Sequence, residues 1–285
     1  MSQPLIDLQH ISKSFDGEMV LDDLSLSIKE NSFVTLLGPS GCGKSTTLRI
    51  IGGFTPPDKG NVIFDGQDIT GMPPYKVAQL GIGRTFQNIR LFSNLSVMDN
   101  VIIASNLDAT YNMPQAIFMT KKYKEREKFL KEKAMALLED VGLQDKVNEK
   151  ASSLPYGHQR KLEIARAMAL DPKLLLLDEP VSGVDQNGLE LFYEIVADLR
   201  EKEDMAIILI SHDLNMVAKH ADQVVLMNKG VVMSGTPEEV FADRRTKKIF
   251  GMLAGESAQE AAADIPAGTQ DTAGDTADEA KGADA

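Results

Sequence analysis

The segment GPSGCGKST (38–46) combines glycines, a lysine and hydroxyl side chains in a spacing suited to phosphate binding. It matches the pattern GxxxxGK(S/T), and it lies between an apolar stretch typical of a strand, FVTLL (33–37), and a predicted helix. Backbone N–H groups of such a loop and the helix N-terminus surround phosphate oxygens. Lys44 can then reach the terminal phosphates, and the Ser45 hydroxyl can ligate Mg²⁺. The alternative, a glycine-rich turn with a surface lysine, is disfavoured by the order strand, loop, helix.

Two adjacent carboxylates end a second apolar stretch, LLLLDEP (174–180). Sheets of α/β proteins bind ligands at the carboxyl ends of their strands, so this position suits chemistry. Asp178 would hold Mg²⁺ through a water molecule, and Glu179 would act as the general base toward an attacking water. A solvated acidic turn is the alternative, and the phosphate loop elsewhere in the chain disfavours it.

A histidine follows the next apolar stretch, in ISHDL (210–214). His212 could reach a terminal phosphate oxygen. Lone histidines at strand ends are usually structural, but this one comes one helix after the carboxylate strand, which favours a functional role. Gln87, in GRTFQNI, carries no signal by itself.

Composition narrows the class of protein. The chain has 285 residues and a net charge of -12, and an acidic chain argues against nucleic acid as a partner. Its one cysteine, Cys42, allows no internal disulfide, which fits a reducing compartment, and its thiol is expected to react with a maleimide unless a ligand bound in the phosphate loop protects it. The N-terminus has no secretory pattern, and no apolar run approaches 18 residues. We expect a cytoplasmic protein that reaches a membrane only through a partner.

The pattern of elements predicts an α/β fold. Residues 5–70 alternate as short strands do, and residues 73–152 are mainly helical in pattern. KLLLL (173–177) and AIILI (206–210) are typical of buried parallel strands, with a helix between them over about 189–200. QVVLMNKGVVMSG predicts a hairpin.

The segment LPYGHQRKLEIARA (154–167) predicts a turn followed at once by an amphipathic helix. Its apolar face carries Leu162 and Ala165, and the charged residues Arg160, Glu163 and Arg166 are expected mostly on other faces. Nothing near the turn in sequence provides a pocket for it.

These motifs occur together and in one order, and on them the chain resembles the nucleotide-binding subunit of an ABC transporter. The resemblance covers about residues 4–252. It implies a P-loop NTPase (RecA-like) core with an antiparallel β subdomain and an inserted α-helical subdomain at about 88–165. Residues 255–285, rich in Ala, Gly, Thr and Asp, are expected to form a disordered acidic tail.

The resemblance also implies roles for individual residues. In the nucleotide site these are Phe15 as the aromatic that stacks on adenine, the Walker A residues Gly38, Pro39, Ser40, Gly41, Cys42, Gly43, Lys44, Ser45 and Thr46, and the D-loop residue Asp185 of SGVD (182–185). Gln87 of the Q-loop is implied to act both in catalysis and in metal binding. Asp178 at Walker B is implied to bind the metal ion, and Glu179 beside it and the H-loop residue His212 are implied to act in catalysis.

The segment LPYGH (154–158) occupies the position of the family's signature turn, usually LSGGQ. In this family two cassettes pack head to tail, so each signature turn caps the ATP held by the other subunit. Leu154, Tyr156, Gly157 and His158 are therefore expected to contact nucleotide. Pro155 offers neither a hydroxyl nor an N–H group. The segment resembles the variant signature of branched-chain amino acid importers, so we interpret it as functional; a degenerate turn with weak ATPase activity is the alternative.

Three segments of the chain resemble three different kinds of importer ATPase, so the chain looks like a mosaic of natural or designed origin. Residues 4–70 resemble the polyamine type, 73–170 the branched-chain amino acid type and 174–240 the zinc or manganese type. In this family, the segment between the Q-loop and the signature forms the groove that receives the permease. Its resemblance therefore counts most in predicting the cargo. Because this segment is of the amino acid type, hydrophobic amino acids are the expected cargo.

The implied cofactors are ATP and Mg²⁺. The implied partners are transmembrane permease subunits, bound by the helical subdomain and the Q-loop groove, a second cassette (a copy or a paralogue) and, indirectly, a solute-binding protein, at the cytoplasmic face of the cell membrane. No nucleic acid is expected. A soluble ABC-type ATPase of translation or DNA repair and a non-hydrolysing nucleotide sensor are the alternatives from other classes.

Overall fold

A computed structural model describes residues 3–105, 113–179 and 186–250 of the chain. Two sheets account for all strands in that part of the protein. The strands are β1 Ile6–Phe15, β2 Glu18–Ile28, β3 Phe33–Leu37, β4 Lys59–Phe64, β5 Gln67–Asp68, β6 Ile82–Arg84, β7 Leu174–Asp178, β8 Ala206–Ile210, β9 Gln223–Met227 and β10 Val231–Gly235.

The larger sheet has the strand order β10-β9-β3-β8-β7-β6. Its five strands from β9 to β6 run parallel, and only β10 is antiparallel, as the second strand of a hairpin with β9. The smaller sheet is antiparallel, with the order β2-β1-β4-β5. The fold is therefore α/β with a separate antiparallel sheet, as the sequence predicted.

Helices cover the large sheet and extend away from it. They are α1 Lys44–Ile51, α2 Pro74–Gln79, α3 Val97–Ser105, α4 Met113–Ile117, α5 Lys121–Asp140, α6 Tyr156–Met168, α7 Gln186–Glu203, α8 Leu214–His220, α9 Pro237–Ala242 and α10 Arg244–Ile249. Helices α3, α5 and α6 pack against one another, and α3 and α5 lie within the span of about 88–165 expected for the helical subdomain. Within the described residues, no helix is both long enough and apolar enough to cross a bilayer.

Apart from Thr35 and Asp178, the residues of β3, β7 and β8 are apolar, and both faces of these strands are buried. Alternate residues of β3, β7 and β8 point into two different cores. One core, shared with the helices, contains Phe33, Leu175, Leu177, Ile207 and Leu209. The other, shared with α1 and the antiparallel sheet, contains Val34, Leu36, Leu174, Leu176, Ile208 and Ile210.

One local prediction was wrong, and a second left out a short strand. The strands predicted as short over residues 5–70 include β1 and β2, which have 10 and 11 residues. The region 73–152, predicted to be mainly helical, contains β6, which pairs with β7 at the edge of the large sheet. Three residues are too few to show a period of two, and only the partner strand defines them as a strand.

Candidate functional site

Four parallel strands end side by side, and a residue with predicted chemistry follows each of them. β3 leads into the phosphate loop and β6 leads to Gln87. β7 ends at Asp178, and His212 comes shortly after β8. Because these strands are neighbours in the order β3-β8-β7-β6, the candidate residues lie along one edge of the sheet.

The phosphate loop fits its surroundings only because two of its residues are glycines. A Cβ on Gly38 would lie 2.3 Å from the carbonyl oxygen of Met227, and a Cβ on Gly43 would lie 2.3 Å from Leu21 Cδ2. Both glycines also have positive φ angles, 151° and 100°. A side chain at either position would push the loop away from the sheet.

The ammonium group of Lys44 lies inside the loop. Its Nζ donates hydrogen bonds to the carbonyl oxygens of Gly38, at 2.8 Å, and Pro39, at 2.9 Å. The side chain is buried, whereas Ser40 and Gly41 are exposed at the top of the loop. A fixed cation below an exposed glycine turn provides what a phosphate group requires.

The side chain of Cys42 is packed into the core. It is 2% exposed and belongs to the core cluster that includes Leu36 and Leu48. Burial raises the pKa of the thiol, against the opposing effect of Lys44, whose Nζ lies 3.6 Å from Sγ. Only the backbone of Cys42 can face a phosphate, and the burial argues against rapid reaction with a maleimide.

A hydroxyl and a carboxylate meet at the start of α1. Ser45 Oγ donates a hydrogen bond of 3.0 Å to Asp178 Oδ1, and Thr46 is half-buried beside it in the same helical turn. The other carboxylate oxygen, Oδ2, is 3.2 Å from Arg84 Nη2, whose side chain is 8% exposed. Sequence reasoning missed Arg84, because nothing in the GIGRTFQ stretch indicates that this arginine turns inward.

Buried contacts hold Arg84 in place. Its Nη1 donates a hydrogen bond of 3.2 Å to the carbonyl oxygen of Leu48 in α1. The guanidinium carbon lies 5.1 Å from the ring centroid of Phe54 and 5.4 Å from that of Phe86. This arginine therefore connects the helix of the phosphate loop with the carboxylate at the end of β7.

The three residues predicted to act in catalysis meet around one carboxylate. Gln87 Nε2 lies 3.3 Å from Glu179 Oε2, and His212 Nε2 lies 2.9 Å from Glu179 Oε1. Glu179 has a φ angle of 46°, a left-handed conformation that is uncommon for a non-glycine residue. Such strain occurs where the surrounding structure fixes a functional side chain, here just beyond the end of β7.

The predicted signature turn is exposed around Tyr156 and Gly157. Tyr156 is 44% exposed, and a Cβ on Gly157 would have no heavy atom within 4 Å. The side chain of Leu154 is buried in the core, so only its backbone can face outward. His158 is half-buried, and burial, together with the positive charge of Lys161, lowers its pKa.

Arg160 and Glu163, expected on faces of α6 other than that of Leu162 and Ala165, are buried. They are 3% and 5% exposed and form an ion pair of 2.9 Å. Arg160 Nη1 donates to the carbonyl oxygen of Phe86 at 2.8 Å, and Glu163 Oε1 accepts from the Phe86 N–H at 3.2 Å. Arg160 Nη2 also donates to the carbonyl oxygen of Gln87. Burial raises the pKa of the Glu163 carboxyl, although Arg160 opposes this.

The Arg160–Glu163 pair therefore fixes the backbone that carries Gln87. Its connection continues to the signature turn, because Arg160 Nη2 and Nε donate to the hydroxyl of Tyr156 at 2.8 and 3.2 Å. A continuous set of contacts runs from the exposed Tyr156 to Gln87 and on to Glu179. Local sequence gives no sign of it, since Arg160 and Gln87 are 73 positions apart.

Two predicted site residues lie away from this edge or outside the described residues. Phe15 ends β1 and is 43% exposed, and Lys13 Nζ lies over its ring, 5.4 Å from the centroid. Asp185 and the rest of the predicted D-loop (182–185) lie outside the described residues, as does the predicted tail.

The arrangement fits a magnesium ion that is shared with a substrate phosphate. Among the described residues, no group of three or more His, Cys, Asp and Glu side chains could hold a metal ion by itself. Mg²⁺ is commonly bound through one or two carboxylates together with the oxygens of a phosphate substrate. Ser45 Oγ and Asp178 Oδ1, which lie 3.0 Å apart at the phosphate loop, provide such a partial ligand set.

Comparisons with known proteins agree with this geometry. The sequence profile of the ABC transporter family matches residues 21–182. The high-affinity branched-chain amino acid transport ATP-binding protein BraF of Pseudomonas aeruginosa is 34% identical over 241 residues, which are 84% of this chain and 94% of BraF. The spermidine/putrescine import ATP-binding protein PotA of Acetivibrio thermocellus is 37% identical over 239 residues, which are 83% of this chain and 62% of PotA.

A solved structure matches the fold over nearly its whole length. It is the crystal structure of the ADP conformation of an ATP-binding cassette of an ABC transporter. The TM-score is 0.75 and the sequence identity is 28%, and the match covers 87% of this chain and 99% of that cassette.

Proposed function

Because this chain belongs to the ABC transporter family and is an ATPase subunit of an importer, we propose that it drives the uptake of branched-chain or other hydrophobic amino acids. The observation that carries the cargo proposal is the match to BraF, which extends over 94% of that protein. The resemblance of residues 73–170 to the amino acid type supports it, because this segment includes the helices expected to contact the permease.

The proposed chemistry uses the edge of the large sheet. The phosphate loop and Lys44 would hold the β- and γ-phosphates of ATP, with Ser45 and Asp178 toward Mg²⁺, which supplies charge neutralisation when bound. Glu179 would accept a proton from the attacking water as it adds to the γ-phosphorus, and ADP would be the leaving group. His212 and Gln87, which contact the Glu179 carboxylate, would position this base and the water.

The proposed assembly is a peripheral one at the cytoplasmic face of the membrane. Two cassettes would pack head to tail, so that the exposed Gly157 turn of each faces the γ-phosphate bound by the other. ATP would close this dimer and hydrolysis would reopen it, and the closure would move bound permease subunits. Gln87 and the helices α3, α5 and α6 would form the permease groove.

Co-purification tests the cargo class directly. The tagged full-length chain would be isolated from detergent-solubilised membranes of its source cells, and the membrane subunits that accompany it would be identified by mass spectrometry. We expect permeases of a branched-chain amino acid importer. A chain carrying Lys44→Met is the matched control, since permease docking should survive the loss of nucleotide binding.

The polyamine importer remains the second candidate, because PotA shares 37% identity with this chain. Co-purification of polyamine or metal permeases would replace the amino acid proposal. ATPase activity that nucleic acid stimulates, without any permease partner, would favour a non-transport ATPase. ATP binding without phosphate release would favour a nucleotide sensor.

A further inference from the structure

Three large apolar side chains are exposed one after another at the turn between α4 and α5. Ile117, Phe118 and Met119 are 70%, 79% and 62% exposed. The other exposed large hydrophobic residues of the described chain occur singly along the sequence, which is ordinary for a protein surface. A consecutive group with this exposure indicates a contact surface.

The turn that displays these residues has defined hydrogen bonds. The N–H groups of Phe118 and Met119 donate to the carbonyl oxygens of Pro114 and Ala116, at 3.0 and 3.1 Å. Thr120 donates to the carbonyl oxygen of Gln115 through both its N–H, at 3.1 Å, and its hydroxyl, at 3.3 Å. The apolar group therefore lies on an ordered turn.

The charges next to this turn are positive, opposite to those usually found at a helix N-terminus. Helix N-termini favour acidic residues, because the helix dipole is positive there. The first turn of α5 has no acidic residue, and Thr120 provides no side-chain cap. Lys121, Lys122 and Lys124 are exposed instead, and Lys121 has only a distant contact of 3.7 Å with Glu125.

We name residues 117–124 the α4–α5 corner. Between positions 121 and 128 the chain has five basic and two acidic side chains, although its net charge is -12. An apolar tip with adjacent lysines is the composition of a segment that lies in the interface of an anionic bilayer. The apolar side chains enter the boundary of the acyl chains, and the lysines remain at the phosphate headgroups.

A permease loop fits this corner less well than lipid does. Cytoplasmic loops of membrane proteins carry an excess of lysine and arginine, so they would repel the lysines of the corner. The anionic headgroups of the cytoplasmic leaflet attract them. We propose that the α4–α5 corner of this subunit contacts the anionic membrane surface directly, in addition to any contact with a permease. This inference does not depend on the cargo proposed above.

Vesicle flotation tests the proposal with the purified full-length chain and no permease. We expect the chain to float with vesicles of phosphatidylcholine containing one third phosphatidylglycerol, to remain unbound with phosphatidylcholine alone, and to dissociate as salt is raised. Lys121→Gln/Lys122→Gln/Lys124→Gln should weaken binding about a hundredfold, since each lysine near such a surface contributes about fivefold. Ile117→Ser/Phe118→Ser/Met119→Ser should abolish flotation.

Two control variants distinguish binding by the α4–α5 corner from nonspecific adsorption of the protein to vesicles. Tyr75→Ser removes another exposed apolar residue, and Lys247→Gln/Lys248→Gln removes a basic pair from α10. Both should bind vesicles as the unchanged chain does, and all variants should keep its ATPase activity and circular dichroism. Equal binding to neutral vesicles, or equal losses in the controls, would overturn the proposal. Loss of permease co-purification in the corner variants without any vesicle binding would assign the corner to the permease instead.

Discussion

At the scale of single residues, the carboxylate of Glu179 is the proposed base for hydrolysis. Gln87 Nε2 and His212 Nε2 contact its two carboxylate oxygens. Glu179→Gln keeps the size and most hydrogen bonds but removes the base. We expect phosphate release to fall at least about a hundredfold while ATP binding is retained. Phosphate release and nucleotide affinity, measured side by side, check this; unchanged turnover would exclude Glu179 as the base.

A second residue-scale prediction concerns the Arg84–Asp178 pair. Both side chains are nearly buried, at 8% and 6% exposure, so removing one partner leaves an uncompensated charge. We expect Arg84→Met to lower the free energy of unfolding by about 3 kcal/mol. Arg84→Met/Asp178→Asn should recover most of that loss, because it removes both charges.

Denaturant unfolding without nucleotide measures the effect of these changes. Arg49→Met, which removes an exposed arginine of α1, is the matched control and should change stability by less than about 0.5 kcal/mol. If the double variant is no more stable than Arg84→Met, then Arg84 acts through its packing against Phe54 and Phe86 and not through its charge.

At the scale of elements, the sequence predicted a strand or hairpin correctly where the residues of that segment alone indicated it. FVTLL, AIILI and the hairpin of β9 and β10 are apolar or turn-rich within a few residues, and each forms the predicted element. The positions of the phosphate loop and of the residues after β7 and β8 followed from these strands. β6 was missed because its three residues become a strand only by pairing with β7.

The buried ion pair of α6 was missed for a related reason. Arginine and glutamate are rarely buried unless they are paired, and helical periodicity places charged residues on the solvent side by default. Arg160 and Glu163 are satisfied by backbone groups of Phe86 and Gln87, more than 70 positions away. Sequence order alone does not reveal a partner at that distance.

The Arg160–Glu163 pair leads to a prediction about coupling between elements. Arg160→Lys keeps the charge but loses the planar donor geometry that bonds the carbonyl oxygens of Phe86 and Gln87. We expect turnover to fall about ten- to a hundredfold through displacement of Gln87, with little change in ATP affinity. Steady-state kinetics and nucleotide binding measure the two quantities separately.

A variant of the next residue in α6 provides the control for this coupling. Lys161→Met changes a lysine for which no contact with the Gln87 segment was found among the described residues, and its turnover should resemble that of the unchanged chain. If Arg160→Lys instead weakens ATP binding and stability while turnover per bound ATP is unchanged, the pair serves the fold and not the position of Gln87.

At the scale of the whole molecule, the proposed two-fold dimer would bring together two surfaces of the cassette. The phosphate loop and Glu179 lie at one edge of the sheet, and the signature turn is exposed at the start of α6. Pro155 has no N–H group to offer, so the backbone of the residues after it would provide the contact with phosphate. Each of the two sites in such a dimer would need residues from both chains.

Mixing two inactive variants tests this composite site. Lys44→Met disables the phosphate loop, and Gly157→Asp places a carboxylate where a γ-phosphate would bind. The fold should tolerate the aspartate, because a Cβ at Gly157 meets no atom within 4 Å and an acidic residue suits a helix N-terminus.

Each variant alone should be inactive. An equal mixture should recover about a quarter of the original ATPase activity, because half of randomly formed dimers then contain one intact site of two. If activity does not return, and Glu179→Gln also fails to dimerise with ATP, the signature turn completes a site on a different chain, and the functional pair is a heterodimer.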